Sequence, residues 1–215
     1  MSRSSRILPG RTGRHHSRLR RGTVLLSVLI VLVTLGGGVG TAQALPAPPA
    51  PVPHLDITRY AGLWHQLAAV PQPFNLACAR DTRARYSLDA RGEVVVQNSC
   101  TTWQGATNAI TGRATVVDQR TGAQLHVSFP GVPTQENRFG PPNYVVVALG
   151  PDYSWALVTD PYRVSGFVLS RKPSLSADQW RSVRTEIAKA GENACWYLTS
   201  PVTGGIGEIR PLCSR

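Results

Sequence analysis

The stretch EVVVQNSCTTWQGATNAITGRATVVDQRTGAQLHVSF, residues 93–129, contains three runs in which apolar and β-branched residues alternate with polar ones. The runs cover residues 93–101, 109–118 and 123–129, and Asp118–Gly122 between the last two has the composition of a turn. A period of two places one face of a strand against a core and the other face in water. The stretch therefore predicts three neighbouring antiparallel strands joined by turns.

Five further runs of the same kind flank this stretch, at residues 63–70, 80–88, 143–149, 154–160 and 164–171. Turn residues such as Asp89–Gly92 and Gly150–Asp152 separate them, so most connections are short. Short connections favour an antiparallel meander, and closing the meander removes its exposed edges. The sequence predicts an all-β fold, an eight-stranded antiparallel up-and-down barrel.

One helix follows the strands. Ser176 and Gln179 have the spacing of a capping box, and Gly191 is a suitable stop. Trp180, Val183 and Ile187 recur on one face of the helix between them. This single apolar stripe predicts a C-terminal α-helix packed on the outside of the barrel, followed by a short strand over residues 195–199.

The chain has 215 residues and a formal net charge of +11, but the basic excess is concentrated at the N-terminus. Residues 1–22 contain seven arginines, whereas residues 45–215 contain 16 basic and 12 acidic residues. The arginines precede an apolar run over 23–35 and the small-residue sequence Ala42-Gln43-Ala44. This layout predicts a signal peptide over 1–44 and a secreted or extracytoplasmic protein, with an uncleaved N-terminal membrane anchor as the alternative. A proline-rich spacer, 45–54, precedes the barrel domain, 55–200.

Three sequence blocks are similar to those of the lipocalins. Residues 55–64, LDITRYAGLW, resemble the opening of that family, with Gly62 and Trp64 matching its G-x-W motif. Residues 148–158 resemble the second block, and residues 167–173 resemble the third, with Arg171 matching its arginine. The resemblance is strongest to bacterial lipocalins and apolipoprotein D. It implies structural roles for Gly62, Trp64 and Arg171: the indole plugs the narrow end of the barrel, and the guanidinium stacks on it.

The four cysteines form an even set, which in an exported protein favours two disulfides. Cys78 and Cys100 lie at nearly matching distances from the turn at residues 89–92, so a hairpin places them opposite each other. Cys195 and Cys213 then remain, and their pairing pins the C-terminal tail, residues 201–215. Other connectivities stay open, including one that resembles apolipoprotein D.

Strand parity, taken from Trp64 and the apolar faces, predicts the residues that line the interior. Small side chains among them leave room for one ligand, although a filled interior is the alternative. The resemblance implies a small hydrophobic ligand such as a fatty acid or lysophospholipid. The predicted ligand-binding residues are Ala68, Tyr86, Val94, Val96, Asn98, Ala114, Val116, Leu125, Val127, Phe129, Val145, Val147, Ala156, Val158, Phe167 and Leu169. Asn98 and Asp160 share the inward parity, so each either binds a ligand head group or caps a loop.

Catalytic and cofactor motifs are absent from the sequence: it contains no G-x-S-x-G, H-E-x-x-H or phosphate-binding loop. We therefore expect no enzymatic activity, no cofactor and no metal. The modest charge of residues 45–215 and the lack of a basic–aromatic stripe also predict no nucleic-acid partner. Arg83 and Arg85 on one outer face are candidates for peripheral contact with membrane lipid, with a solvated outer face as the favoured alternative. The alternative function is a protein-interaction module using the loops at the open end, above all Gly131–Pro142, which could equally be a lid. A lipocalin-fold enzyme is the third possibility.

Overall fold

The computed structural model describes residues 47–214, so the predicted signal peptide over 1–44 and the first two spacer residues lie outside the described residues. A short helix, α1 (Ile57–Tyr60), precedes the strands, and a longer one, α2 (Ala177–Lys189), follows the eighth. The strands are β1 (Gly62–Ala69), β2 (Cys78–Leu88), β3 (Val94–Thr102), β4 (Thr107–Val116), β5 (Gln124–Ser128), β6 (Tyr144–Leu149), β7 (Trp155–Thr159), β8 (Gly166–Ser170) and β9 (Leu198–Thr199). No helix within residues 47–214 is both long enough and apolar enough to span a bilayer.

The sheet closes on itself. Each strand from β1 to β8 pairs antiparallel with its neighbour in the chain, and β1 pairs with both β2 and β8. Gly62 lies opposite Tyr86 on one side of β1, and His65 lies opposite Ser170 on the other. This closed eight-stranded antiparallel barrel confirms the predicted fold class.

Helix α2 lies outside the barrel, as predicted. The Ser176 hydroxyl accepts from the Gln179 N–H, and the Gln179 side chain accepts from the Ser176 N–H, which completes the capping box. The stripe formed by Trp180, Val183 and Ile187 is buried in a cluster with outward-facing residues of four strands. We call this the helix-side cluster; its strand residues are Leu67, Ala68, Ala148, Trp155, Leu157 and Val168.

The region after the helix differs from the prediction. The strand expected over 195–199 is reduced to Leu198–Thr199, because residues 194–196 form a 3-10 turn. The Asn193 side chain accepts from the Cys195 N–H and initiates this turn. The tail then folds back, with the Leu212 N–H donating to the Tyr197 carbonyl.

The first disulfide has the pairing that the predicted hairpin favours, and the second joins the two cysteines that then remain. Cys78 and Cys100 are joined with a Cα–Cα distance of 5.6 Å, and Cys195 and Cys213 with 4.8 Å. The first links the open-end portions of β2 and β3. The second joins the tail to the 3-10 turn at residues 194–196.

Three predicted interior residues, Ala68, Val145 and Val147, do not face the interior. β1 is bulged between Gln66 and Ala68, and β6 between Val146 and Ala148, so the parity reverses along each strand. Ala68 and Val147 consequently pack with the helix-side cluster. Val145 pairs with Gln124 on β5 and with Thr159 on β7, and the side chains of these three paired residues point outward.

Candidate ligand-binding site

One end of the barrel is sealed beneath Trp64. The indole is fully buried, and its Nε1 donates to the Tyr60 carbonyl at 2.8 Å. The Arg171 guanidinium carbon lies 3.7 Å from the centre of the Trp64 ring, and its nitrogens donate to carbonyls of β1 and α1. Gly62 has φ +101°, and a Cβ there would lie 3.1 Å from Arg171 Nη1. These contacts give Gly62, Trp64 and Arg171 structural roles at the closed end.

Three tyrosines form a hydroxyl cluster inside the barrel, next to this plug. Tyr144 Oη lies 2.7 Å from Tyr60 Oη and 3.0 Å from Tyr86 Oη. Burial raises the pKa of Tyr86 to about 12, and it also raises the pKa of Tyr60 and Tyr144. All three hydroxyls are therefore protonated at physiological pH. We call these residues the tyrosine cluster.

An apolar wall continues around the interior. Of the sixteen predicted residues, twelve belong to this interior cluster, nine fully buried and three partly accessible. The buried ones are Tyr86, Val94, Val96, Ala114, Leu125, Phe129, Ala156, Val158 and Leu169. The partly accessible ones are Val116, Val127 and Phe167. The structure adds Tyr60, Ala84, Tyr144 and Val146 to this wall.

The two candidate polar residues have different environments. The Asp160 carboxylate accepts from the backbone N–H groups of Tyr162, Val164 and Ser165, so Asp160 caps the β7–β8 loop. Asn98 lies opposite Ala84, an interior residue, and its Oδ1 is buried without a hydrogen-bond partner among the described residues. The register therefore places an unpaired amide in the interior.

The opposite end of the barrel has an apolar rim. Exposed side chains occur on three of its loops, the β1–β2 loop, the β3–β4 turn and the β7–β8 loop. The rim residues are Phe74, Leu76, Trp103, Tyr162 and Val164. Trp103 Nε1 donates to the Leu76 carbonyl at 2.9 Å, and Gln72 Nε2 donates to the Val164 carbonyl at 2.9 Å, so the three loops are linked.

A buried carboxyl anchors the β7–β8 side of this end. The Glu192 carboxylate, which follows α2, accepts hydrogen bonds from the hydroxyls of Thr159 and Tyr197. Burial raises the pKa of Glu192 above its usual value, and the two hydrogen bonds oppose that rise only in part. Glu192 thus ties the end of α2 to the last residue of β7.

Part of the long β5–β6 loop, residues 131–142, is held on the outer wall of the barrel. Its backbone carbonyls at Asn137 and Pro141 contact the His126 ring nitrogens at 2.9 and 2.7 Å. His126 lies opposite Thr115 on the outer face of β4 and β5, and Arg138 pairs with Glu93 at the closed-end β2–β3 turn. Residues 137–141 of the loop therefore lie along the outer wall, whereas Val132 at its start packs against the interior cluster.

Arg83 and Arg85 also lie on the outside. Together with Leu63, Gln97 and Ser99 they line a shallow depression of about 210 Å³. Within residues 47–214, no group of three or more His, Cys, Asp or Glu side chains is arranged to bind a metal.

A closed β-barrel with one sealed and one apolar end defines a class of proteins that hold a small molecule inside the barrel. Residues 55–199 match the Lipocalin-like domain family. The chain belongs to the lipocalin family, whose members generally bind or transport small hydrophobic ligands.

Individual relatives agree with this assignment. Temperature-induced lipocalin-1 of Arabidopsis thaliana is 30% identical over 145 residues, covering 64% of this chain and 74% of that protein. Outer membrane lipoprotein Blc of Escherichia coli K12 is 34% identical over 141 residues, covering 63% and 74%. Apolipoprotein D of Bos taurus is 28% identical over 157 residues, covering 64% and 82%. These similarities confirm the predicted bacterial lipocalin and apolipoprotein D branch.

A solved structure matches in fold. Insecticyanin of the tobacco hornworm Manduca sexta superposes with a TM-score of 0.57 at 18% identity, covering 78% of this chain and 95% of the other. At this identity the match concerns the fold alone.

Proposed function

We propose that this lipocalin is an exported carrier that holds one lipid inside the barrel, with access from the open end. The observation that carries the proposal is the accessibility of inward-facing apolar side chains there. Val127 and Phe167 are only partly buried, and Ile110, which pairs with Asn98, is 38% exposed. At the plug, in contrast, Tyr60, Trp64 and Ala156 are buried. Each methylene of a bound chain contributes about 0.8 kcal/mol.

Export is supported by the leader and the two disulfides. Residues 1–44 have the three-part layout of a signal peptide, and both cysteine pairs are oxidised in the structure. The Escherichia coli relative is an outer membrane lipoprotein. We assign residues 45–54 to a spacer, 55–200 to the carrier domain and 201–215 to a pinned tail.

Native mass spectrometry followed by lipid extraction tests the carrier proposal. We expect the exported protein to retain an apolar small molecule. Val127→Glu places a carboxylate on the interior wall and should abolish retention while leaving the barrel folded, as checked by circular dichroism. Gln97→Glu adds the same charge on the outer face of β3 and should retain the lipid. Equal retention by the wild type and both variants would show that the lipid lies elsewhere.

We further propose that the apolar rim contacts the lipid surface from which the ligand is taken. Five exposed apolar side chains lie on the loops at the open end, and Arg80 at the same end of β2 is half exposed beside its ion-pair partner Asp81. In flotation with vesicles containing phosphatidylglycerol, the double variant Leu76→Ser/Trp103→Ser should lose membrane association. Unchanged flotation of that variant would exclude the rim as the contact surface.

A further inference from the structure

The tyrosine cluster has one hydroxyl hydrogen without an acceptor. Three hydroxyls carry three hydrogens, yet they form only two hydrogen bonds, both centred on Tyr144. No other described group accepts from them. An unpaired donor in an apolar interior is unfavourable unless a ligand or water accepts from it. The closed-end part of the barrel interior therefore offers one hydrogen-bond donor.

Asn98 offers the complementary group. Its Oδ1 is buried and unpaired, on a face of β3 that also carries the interior residues Val94 and Val96. Val96 pairs with Tyr86 across the β2–β3 ladder, so Asn98 is the diagonal neighbour of Tyr86. The Cα atoms of diagonal neighbours lie about 7–8 Å apart. One small head group placed between the two side chains could therefore contact both.

The interior holds no charge that would stabilise an anionic head group. Neither the interior cluster nor Asn98 contributes a cation among the described residues, and the Arg171 guanidinium is bonded to carbonyls of α1 and β1 at the sealed end. An ionised carboxylate or phosphodiester there would lose its hydration without a counter-charge. A neutral hydroxyl accepts from one partner and donates to another, and so matches both unpaired groups.

We infer that the barrel binds a neutral, hydroxyl-bearing amphiphile head first, with its hydroxyl between the tyrosine cluster and Asn98 and its chain directed to the apolar rim. Long-chain alcohols, monoacylglycerols and protonated fatty acids have this chemistry. The inference rests on the proposed carrier function. This orientation is the opposite of one in which the lipid head group lies at the opening. The unpaired polar groups of the barrel lie deep in the interior, and the exposed apolar side chains lie at the opening.

Matched C16 probes test the head group. Binding is measured by displacement of a fluorescent lipid from the delipidated full-length mature protein. We expect 1-hexadecanol to bind about tenfold more tightly than hexadecyl methyl ether, which accepts but cannot donate. Asn98→Leu should abolish that preference while retaining the ether, and Gln97→Leu on the outer face should keep it. Palmitate should bind more weakly than the alcohol at pH 8 and gain affinity as the pH falls.

The direction of the ligand is tested separately, with 16-bromo-1-hexadecanol. Head-first binding places the bromine beside Trp103 at the rim, so quenching of the fluorescence should disappear in Trp103→Phe and persist in Trp196→Phe, a variant at another exposed tryptophan. Quenching that survives in Trp103→Phe would overturn the orientation. Equal affinity for the alcohol, ether and ionised palmitate would overturn the head-group inference while leaving the carrier intact. Failure of all three probes to bind would instead refute the carrier function.

Discussion

Replacement of Arg171 should destabilise the barrel through its closed end. The guanidinium donates at 2.9 Å to the Leu63 carbonyl and shares Nη2 among the carbonyls of Arg59, Tyr60 and Ala61 at 2.8–3.2 Å. Hydrogen bonds to a charged donor contribute roughly 1.5–3 kcal/mol each, and a cation–π contact about 0.5–2 kcal/mol. Because the carbonyls share one nitrogen and the side chain is half-buried, we expect Arg171→Ala to cost about 3–4 kcal/mol.

Arg171→Lys separates the two contributions. An ammonium keeps the charge above the indole but lacks the planar fork that reaches two sets of carbonyls at once, so we expect about half the loss of the alanine variant. The free energy of unfolding is measured by urea denaturation, comparing midpoints at constant slope. The alanine variant should have a melting temperature lower by roughly 6–16 °C.

Arg181→Ala serves as the control for Arg171→Ala. Arg181 on α2 is exposed and pairs only with Asp178, so Arg181→Ala should change stability by less than about 0.5 kcal/mol. If Arg171→Ala unfolds at the same urea concentration as Arg181→Ala, the contacts at the closed end do not stabilise the fold. If Arg171→Lys is as stable as the wild type, charge alone suffices and the carbonyl contacts are unimportant.

Two further changes test the open end. The raised pKa of Glu192 means that its contribution to stability is present at low pH and is lost as the pH rises through that pKa. Between pH 4 and 8, the free energy of unfolding should therefore fall more in the wild type than in Glu192→Gln. The exposed control variant Glu136→Gln should show the same pH dependence as the wild type. If the wild type and Glu192→Gln lose stability in parallel, Glu192 is not the source of the pH dependence. Cys78 and Cys100 close a loop with a sequence separation of 22, so the double alanine variant should lose about 3 kcal/mol in urea unfolding. A loss below about 1 kcal/mol would show that the hairpin is held by other contacts.

The strands were predictable where one face of the strand is buried and the other is exposed to solvent. In β3, Val94 and Val96 are inward while Gln97 is exposed, and the alternation is visible in the sequence. The capping residues of α2 are likewise local signals, because Ser176 and Gln179 bond to each other's backbone. Features that depend on three or four neighbouring residues were therefore predicted correctly.

The orientation of β6 had no such signal. Its sequence, YVVVAL, is apolar throughout, because the inner face packs in the barrel and the outer face packs against the helix-side cluster. A continuous apolar run does not show which alternate side chains face the interior. The bulge after Val146 also reverses the inward and outward alternation within the strand. This is why Val145 and Val147 were misplaced and Tyr144 was not expected inside.

The tyrosine cluster depends on closure of the whole barrel. Tyr60 comes from α1, Tyr86 from β2 and Tyr144 from β6, with sequence separations of 58 and 84 residues for the two hydroxyl pairs. No local pattern brings such residues together. The position of the 131–142 loop was equally hidden, since His126 is held by backbone carbonyls that every residue possesses.

The division between two apolar clusters explains how the barrel can be stable and yet hold a ligand. Trp180, Val183 and Ile187 cover one side of the barrel from the outside, so burial there does not depend on what fills the interior. The opposite side, at β2 and β3, has a polar outer face with Arg85 and Gln97. We therefore expect a ligand to be accommodated by movement of this second wall, whose open end is restrained by the first disulfide. The unpaired Asn98 lies in that wall, so a head group that satisfies it would also rigidify the part of the barrel with the least external support.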